Sequence, residues 1–349
     1  MRATPYLQVD LDVLEANVAA MAKHAAAHGL AVRPHAKTHK TLEVARLQLA
    51  AGATGLTVAT VAEAEVYAAA GVDDLFVAYP LWVDPAKGAR LRALAEQAAL
   101  TLGVDSVESA RAMAAQLPGA RALVEVDSGQ HRSGVPAGEA GALAEAAAHS
   151  GLDVLGVFTF PGHSYAPGAQ QSVAAQEATA LREAAASLAD HGVEPAVVSG
   201  GSTPSAADTD GSVLTEIRPG VYVFNDAQQW ELGVVPPESV ALTAVGTVVS
   251  HAGGHVLLDT GSKVLGADRA PYSSGHGRLL DHPDARITLL AEHHAVVAWP
   301  HDDLPERGTP MRVVPNHVCT AVNLVDELVV VRGGAVVDTW RVAARGANT

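Results

Sequence analysis

One cysteine, Cys319, stands in 349 residues. No disulfide can close within the chain, and a reducing compartment is expected. Aromatic residues make up only 4%, which leaves the core to aliphatic side chains. Basic residues are outnumbered, 23 Lys and Arg against 38 Asp and Glu, for a formal net charge of −15. Nucleic acid is excluded as a partner on that balance, because a phosphate backbone needs a basic face. No run of about 18 apolar residues occurs, so neither a spanning helix nor a membrane partner is expected. Residues 1–30 lack a basic stretch followed by a continuous apolar one. No secretory leader is read there, and a cytoplasmic location is expected. What is present, 48% hydrophobic and 17% charged residues, suits a folded chain whose length suggests two domains.

The first two-thirds alternates apolar runs with Ala-rich helical stretches. Leu14, Val18, Met21 and Ala25 recur at three- and four-residue spacing on one face of a first helix, with Asp10 or Asp12 as its cap. Eight strand candidates follow: Ala31–Lys37, Gly55–Ala59, Leu75–Tyr79, Leu100–Asp105, Ala122–Asp127, Leu155–Phe160, Ala196–Gly200 and Thr215–Tyr222. Helical segments separate most of them. Alternation of this kind predicts parallel pairing, and eight units predict an α/β fold of the (β/α)8 TIM-like barrel type, with a doubly wound open sheet as the alternative. From Pro236 onward the segments become short, Val-rich and closely spaced, as in Val240–Ser250, Arg286–Leu290, Glu327–Arg332 and Ala335–Arg341. That texture predicts an antiparallel β-rich domain. Tyr6–Asp10 is strand-like and is expected to join it. The expected division is a barrel over 12–235 and a β-rich domain of 1–11 plus 236–349.

The apolar run Gly29-Leu30-Ala31-Val32 leads into Arg33-Pro34-His35-Ala36-Lys37-Thr38-His39-Lys40. A lysine at the end of a buried strand is an expensive choice. It either snorkels to water or serves chemistry, as an amine able to hold an aldehyde cofactor covalently. Barrel chemistry sits at the C-terminal ends of strands, and several polar residues fall there. Lys37 ends the first strand and Arg132 follows the fifth. His163 and Tyr165 follow the sixth, and Gly201, Ser202 and Thr203 follow the seventh. Arg218, Gly220, Val221 and Tyr222 close the eighth. Glycine-rich loops with hydroxyls suit a phosphate, and barrels often bind one after strands seven and eight. Singly, each has an ordinary reading as a turn, a solvated arginine or a packed ring. Their joint order points to one mouth.

A second candidate site is Pro315-Asn316-His317-Val318-Cys319. Read as a strand, His317 and Cys319 project to one face as two ligands for zinc or a similar ion. Two ligands leave open positions for water and substrate, a catalytic rather than a structural arrangement. A packed cysteine beside an exposed histidine is the plainer alternative. No third ligand is identifiable, and Glu292-His293-His294 is left unassigned because a polar turn explains it equally well.

On these residues the chain resembles the fold-type III pyridoxal-phosphate enzymes, within them the D-serine dehydratase and D-threonine aldolase group. Arg33 to Lys40 and Pro315-Asn316-His317-Val318-Cys319 followed by Val322-Asn323-Leu324 carry the resemblance, which runs from Thr4-Pro5 to Arg345-Gly346. It implies an alanine racemase-like barrel, a C-terminal β domain and a homodimer. It implies Lys37 as the lysine that carries pyridoxal 5'-phosphate and Arg132 against the cofactor's phenolic oxygen. His163 resembles the ring-stacking histidine. Ser202, Gly220 and Val221 resemble the phosphate-holding positions, with Tyr165, Gly201, Thr203 and Tyr222 as neighbours. Arg218 sits where alanine racemases set an arginine against the pyridine nitrogen. His317 and Cys319 resemble ligands of a divalent metal, with zinc placed ahead of manganese and magnesium.

The function implied is that of a lyase acting on D-3-hydroxy amino acids, D-serine dehydratase-like, with β-elimination to a keto acid and ammonia. The alternative is a D-threonine aldolase, cleaving to glycine and an aldehyde. Cys319 at the second ligand position and Gly201-Ser202-Thr203-Pro204 resemble dehydratases more closely. Phe160 departs from relatives that carry tyrosine. A racemase reading is disfavoured by the metal pair. A non-catalytic cofactor carrier is disfavoured by the pair and the second domain together.

Overall fold

Tyr6–Asp10 forms strand β1 and runs straight into helix α1 (Leu11–Ala27). The computed structural model describes residues 2–349. Asp10 Oδ1 accepts from the Asp12 and Val13 amides at 3.1 and 3.3 Å, so Asp10 caps the helix. Leu14, Val18 and Ala25 are buried, while Met21 is half-buried.

The chain groups into two compact units. One comprises Met1–Ala20, Thr38–Val44 and Val221–Gly346, and the other Met21–Lys37, Ala45–Gly220 and Ala347–Thr349. The second unit holds the eight-stranded parallel sheet. Its strands are β2 (Ala31–Val32), β3 (Leu56–Val58), β4 (Asp74–Pro80), β5 (Ala99–Val104), β6 (Arg121–Glu125), β7 (Asp153–Phe158), β8 (Val197–Gly200) and β9 (Glu216–Ile217). They alternate with helices α3 (Val61–Ala69), α4 (Pro85–Ala95), α5 (Val107–Gln116), α6 (Ala140–His149) and α7 (Gln170–Asp190). Helix α2 (Leu42–Ala50) precedes β3. The order β2-β9-β8-β7-β6-β5-β4-β3 closes where His35 bridges Thr57 in parallel and the Thr57 amide donates to Pro34 O at 2.9 Å. The expected TIM-like barrel is the fold, and closure excludes the open doubly wound sheet.

Two barrel strands are far shorter than their apolar runs predict. The first stops at Val32 and the eighth at Ile217. Pro34 and Pro219 lie just beyond, and a proline cannot donate to a ladder. Lys37 therefore sits not at a strand end but in a 3-10 turn, Ala36–Thr38, beyond it. Tyr222 likewise lies in the turn Val221–Val223.

The barrel interior packs Phe76, Leu123 and Phe158, each at most 2% exposed. The two rings meet edge-on at 5.0 Å, and each such side chain contributes about 1.5–3 kcal/mol by leaving water. Polar groups cross this interior as a chain. Arg33 pairs with Asp74 at 2.7 Å and Glu216 at 2.8 Å; the Ser199 hydroxyl donates to Glu216 at 2.7 Å; and Arg218 Nε donates to Ser199 Oγ at 2.9 Å. Each buried charge thus has a partner, which offsets its desolvation.

The other unit holds a nine-stranded sheet: β1, β10 (Leu242–Ser250), β11 (Val256–Leu258), β12 (Arg278–Leu279), β13 (Arg286–Leu290), β14 (Ala295–Ala298), β15 (Pro310–Val314), β16 (Glu327–Arg332) and β17 (Ala335–Arg341). The run β11-β14-β13-β12-β15-β10 closes on itself through a β10–β11 pairing, making a six-stranded barrel. As expected, β1 joins this sheet, antiparallel to β10. Its pairing with β16 is parallel, so the sheet is not purely antiparallel. Short helices α8 (Ala227–Glu231), α9 (Ser262–Leu265) and α10 (Val318–Asn323) decorate it. Among the described residues no helix is long and apolar enough to cross a membrane.

Candidate active site

The polar residues anticipated at the barrel mouth all follow C-terminal ends of strands. Lys37, half-buried, places Nζ 5.6 Å from the centre of the Phe160 ring, and Arg132, exposed, places its guanidinium carbon 5.3 Å from the same centre. One ring thus lies under both cations, an arrangement the ring's negative face favours. Phe160 follows β7 and leads into the 3-10 turn Gly162–Tyr165, which carries His163 and Tyr165. His163 Nε2 meets Gln176 Oε1 at 3.0 Å, and its Nδ1 is buried without a hydrogen-bond partner.

Past β8 the loop brings serine hydroxyls together. Ser202 Oγ lies 2.9 Å from Ser164 Oγ and 2.8 Å from Ser205 Oγ. All three serines are 0–1% exposed. Three hydroxyls converging in a buried corner offer rotatable donors in number, the chemistry of a phosphate pocket. Gly201 adopts φ 75°, and a Cβ on Gly200 would stand 2.3 Å from Glu177 Oε1. The loop therefore requires glycine. Thr203 is buried beside Ser202 in sequence. Gly220 follows Pro219, whose carbonyl accepts the His35 amide at 3.0 Å.

Arg218 is buried deeper than a mouth residue. Its guanidinium donates to Ser199 Oγ and the Thr159 carbonyl and lies 5.6 and 5.4 Å from the Phe76 and Phe158 ring centres. Burial pulls its pKa below the usual arginine value, against the nearby Glu216, Glu177 and Glu125.

Val221, Tyr222, His317 and Cys319 belong to the β-barrel unit. Val221 and Tyr222 are buried, and Val221 O accepts the Asn225 amide at 2.7 Å. The strand geometry read for His317 and Cys319 is not what forms. β15 ends at Val314; His317 is the N-terminal flank of α10 and Cys319 lies in its first turn. The two nonetheless interact. The Cys319 thiolate and then the Asp226 carboxylate hold the His317 imidazolium well above its ordinary pKa, against burial. His317 Nδ1 lies 3.4 Å from Asp226 Oδ2, within ion-pair range. Asp226 is fully buried and fixed by amides: Gln229 N donates to Oδ1 at 3.0 Å and Val318 N to Oδ2 at 3.1 Å. Carboxylate behind imidazole, with a thiol beside it, is a donor set that fits a soft divalent ion, which would take the place of the shared proton. Cys319 Sγ also meets Thr38 Oγ1 at 3.3 Å. Among the described residues no group of three or more His, Cys, Asp or Glu side chains is arranged to hold a metal, so no third ligand is supplied. Glu292 and His293 form an exposed turn whose neighbour is Lys263, 2.8 Å from Glu292.

Sequence reasoning missed Asp226 and Glu177. Glu177 lies among Val173, Ala174, Ala178 and Leu181 on the inward face of α7. A carboxylate interrupting an apolar stripe was the available signal. Asp226 carried none beyond its neighbour Asn225.

Comparison with known proteins identifies the family. Residues 9–228 match the alanine racemase N-terminal domain, and residues 241–331 match a serine dehydratase domain. A D-threonine aldolase from an Arthrobacter species is 37% identical, over 98% of this chain and 93% of its own. A D-threo-3-hydroxyaspartate dehydratase from Delftia sp. (strain HT23) is 35% identical, over 90% of each. The crystal structure of a D-threonine aldolase from Filomicrobium marinum superposes with a TM-score of 0.91 at 32% identity, covering 99% of this chain and 97% of that one. With both domains matched and full-length relatives above 30% identity, the chain belongs to the family of pyridoxal-phosphate-dependent lyases of D-amino acids that joins an alanine racemase-like barrel to a serine dehydratase domain.

Proposed function

We propose that this lyase is a D-serine dehydratase-like enzyme, eliminating water from D-3-hydroxy amino acids with the aid of pyridoxal 5'-phosphate and a divalent ion, zinc in the first instance. The observation that carries the reading is the barrel mouth: Lys37 and Arg132 over one ring, with a buried triad of serine hydroxyls past β8. Lys37 would hold the cofactor and the Ser202 loop its phosphate, while His163 would cover its ring and Arg132 would meet its phenolic oxygen. Bound pyridoxal phosphate supplies an electron sink for the pair left at Cα. Lys37 Nζ, freed when the substrate's own amino group takes its place on the aldehyde carbon, would accept the Cα proton. Ser202 and its hydroxyl neighbours restrain the phosphate, so the reacting atoms stay in register with Nζ. The His317 ring, oriented by Asp226, and the Cys319 thiolate would hold an ion that supplies Lewis acidity to a departing hydroxyl. The proton from Cα and the hydroxide from Cβ leave as water; hydrolysis of the resulting enamine gives keto acid and ammonia. The resemblance further implies a homodimer.

Aldol cleavage is the second reading, favoured by the Arthrobacter relative at 37% identity. One assay separates the two. Incubation with D-serine and D-threonine is expected to yield keto acids and ammonia; glycine with an aldehyde from D-threonine overturns the dehydratase reading. Lys37→Ala is expected to abolish turnover and the visible absorbance of the lysine-bound cofactor. An active, coloured variant would refute the assignment of the amine.

A further inference from the structure

Glu177 is a carboxyl group set directly beneath the anion loop. It lies on the inward face of α7 with no exposed surface. Its Oε1 accepts the Gly201 amide at 2.7 Å, and its Oε2 is buried with no hydrogen-bond partner. The loop descends onto it so closely that a Cβ on Gly200 would stand 2.3 Å from Oε1 and 2.9 Å from Leu214 Cδ2. The Gly201 amide is thereby spent on Glu177.

We propose that Glu177 is a positioning residue of this loop, and that binding of a phosphate dianion at the Ser202 hydroxyls is accompanied by uptake of one proton from solvent at the Glu177 carboxyl. The inference rests on reading that loop as the phosphate site. A buried carboxylate bonded to the amide next to Ser202 and a dianion held at the Ser202 hydroxyls form a like-charge pair in a poorly polarisable interior, and such a pair resolves by neutralising one member. Among the described residues the only charge acting on Glu177 is Arg218, at the end of β9. That charge is already answered by Glu216 and Glu125 as well. Gly200, Gly201 and Leu214, which pack on the carboxyl, do not titrate. Burial, opposed by the Gly201 amide and Arg218, lifts the carboxyl to about 7. The carboxyl is thus lifted toward neutral pH before any anion arrives, and an arriving dianion raises its pKa further.

The probe is pyridoxamine 5'-phosphate, which carries ring and phosphate but no aldehyde, so imine formation at Lys37 drops out. Its dissociation constant is measured on the full chain between pH 6.5 and 8.5, above the second ionisation of the phosphate near 6. For the unaltered protein affinity weakens as pH rises, because binding must take up a proton. For Glu177→Gln, which keeps an acceptor for Gly201 but cannot titrate, that component vanishes. The ratio of the two constants is expected to change by roughly ten- to thirtyfold over this range; a change under threefold overturns the inference. Independently of any variant, the infrared difference between ligand-bound and ligand-free protein at pH 8 should gain a protonated-carboxyl band, and its absence overturns the inference too. The two readings fail differently. If pyridoxamine binds as tightly as its phosphate ester, the phosphate site itself is refuted. If the ester binds tighter but both proteins share one pH profile, only the role of Glu177 falls.

Discussion

Asp226 shows how one buried carboxylate sets the chemistry of a neighbour. Its two oxygens take the amides of Gln229 and Val318, which pins it, and Oδ2 then faces His317 Nδ1 at 3.4 Å. In the proposed metal site, a carboxylate facing Nδ1 would leave Nε2 to ligate an ion and would raise its basicity. Asp226→Asn keeps acceptors for the two amides but loses the charge. We expect it to weaken zinc affinity by roughly ten- to a hundredfold in a chelator competition titration, with the cofactor absorbance unaltered. Affinity within twofold of the parent would show that the carboxylate does not orient the ring. The spacing of His317 and Cys319 singled them out in the sequence as a proposed pair of ligands, although the strand invoked for that spacing is not what forms. In a helix N-terminus, residues two apart need not share a face, and the pairing here comes instead from His317 lying just outside the first turn. Asp226, about ninety residues earlier in the chain, could not be joined to them by any local rule.

At the scale of the element, periodicity located all eight barrel strands, and β1, β13, β16 and β17 match their apolar runs end for end. What it misjudged was strand length beside proline, as at Val32 and Ile217, and the two-residue β12 (Arg278–Leu279), too short to carry a pattern. Both failures have one cause: alternation reports which face is buried, whereas ladder length depends on backbone donors. β1 illustrates the strength of the signal where donors are intact. Its five residues alternate half-buried and buried, and the strand sits between β10 and β16 inside the nine-stranded sheet. Leu7 is fully buried there. Leu7→Ala should destabilise the fold by about 2–5 kcal/mol through lost transfer energy and a cavity, read as a lower denaturant midpoint with an unchanged slope. A loss under about 1 kcal/mol would mean that the site collapses around alanine.

At the scale of the molecule, composition gave no reason to expect a basic-surface or membrane function but could not reveal how the chain is shared out. Each compact unit is assembled from three separate segments, so the chain passes between them five times. A reading that cuts the sequence at changes of texture places crossings near residues 11 and 235, and texture carries no signal for short returns such as Thr38–Val44. The shortest return is Ala347–Thr349, which rejoins the parallel barrel. Thr60 Oγ1 donates to Ala347 O at 2.7 Å, the Ala62 amide to Thr349 O at 2.8 Å, and Arg90 Nη2 to the same oxygen at 3.3 Å. These bonds tie down the start of α3, where Thr60 is also the helix cap. They are partly exposed, so each contributes at the low end of the usual range, and deleting Ala347–Thr349 should lower stability by about 1–2 kcal/mol. Hydrogen exchange should locate the loss at the first turn of α3 rather than spread it over the barrel. If the amides of that turn exchange as in the intact chain, the three residues merely rest on the surface and the barrel holds its helix without them.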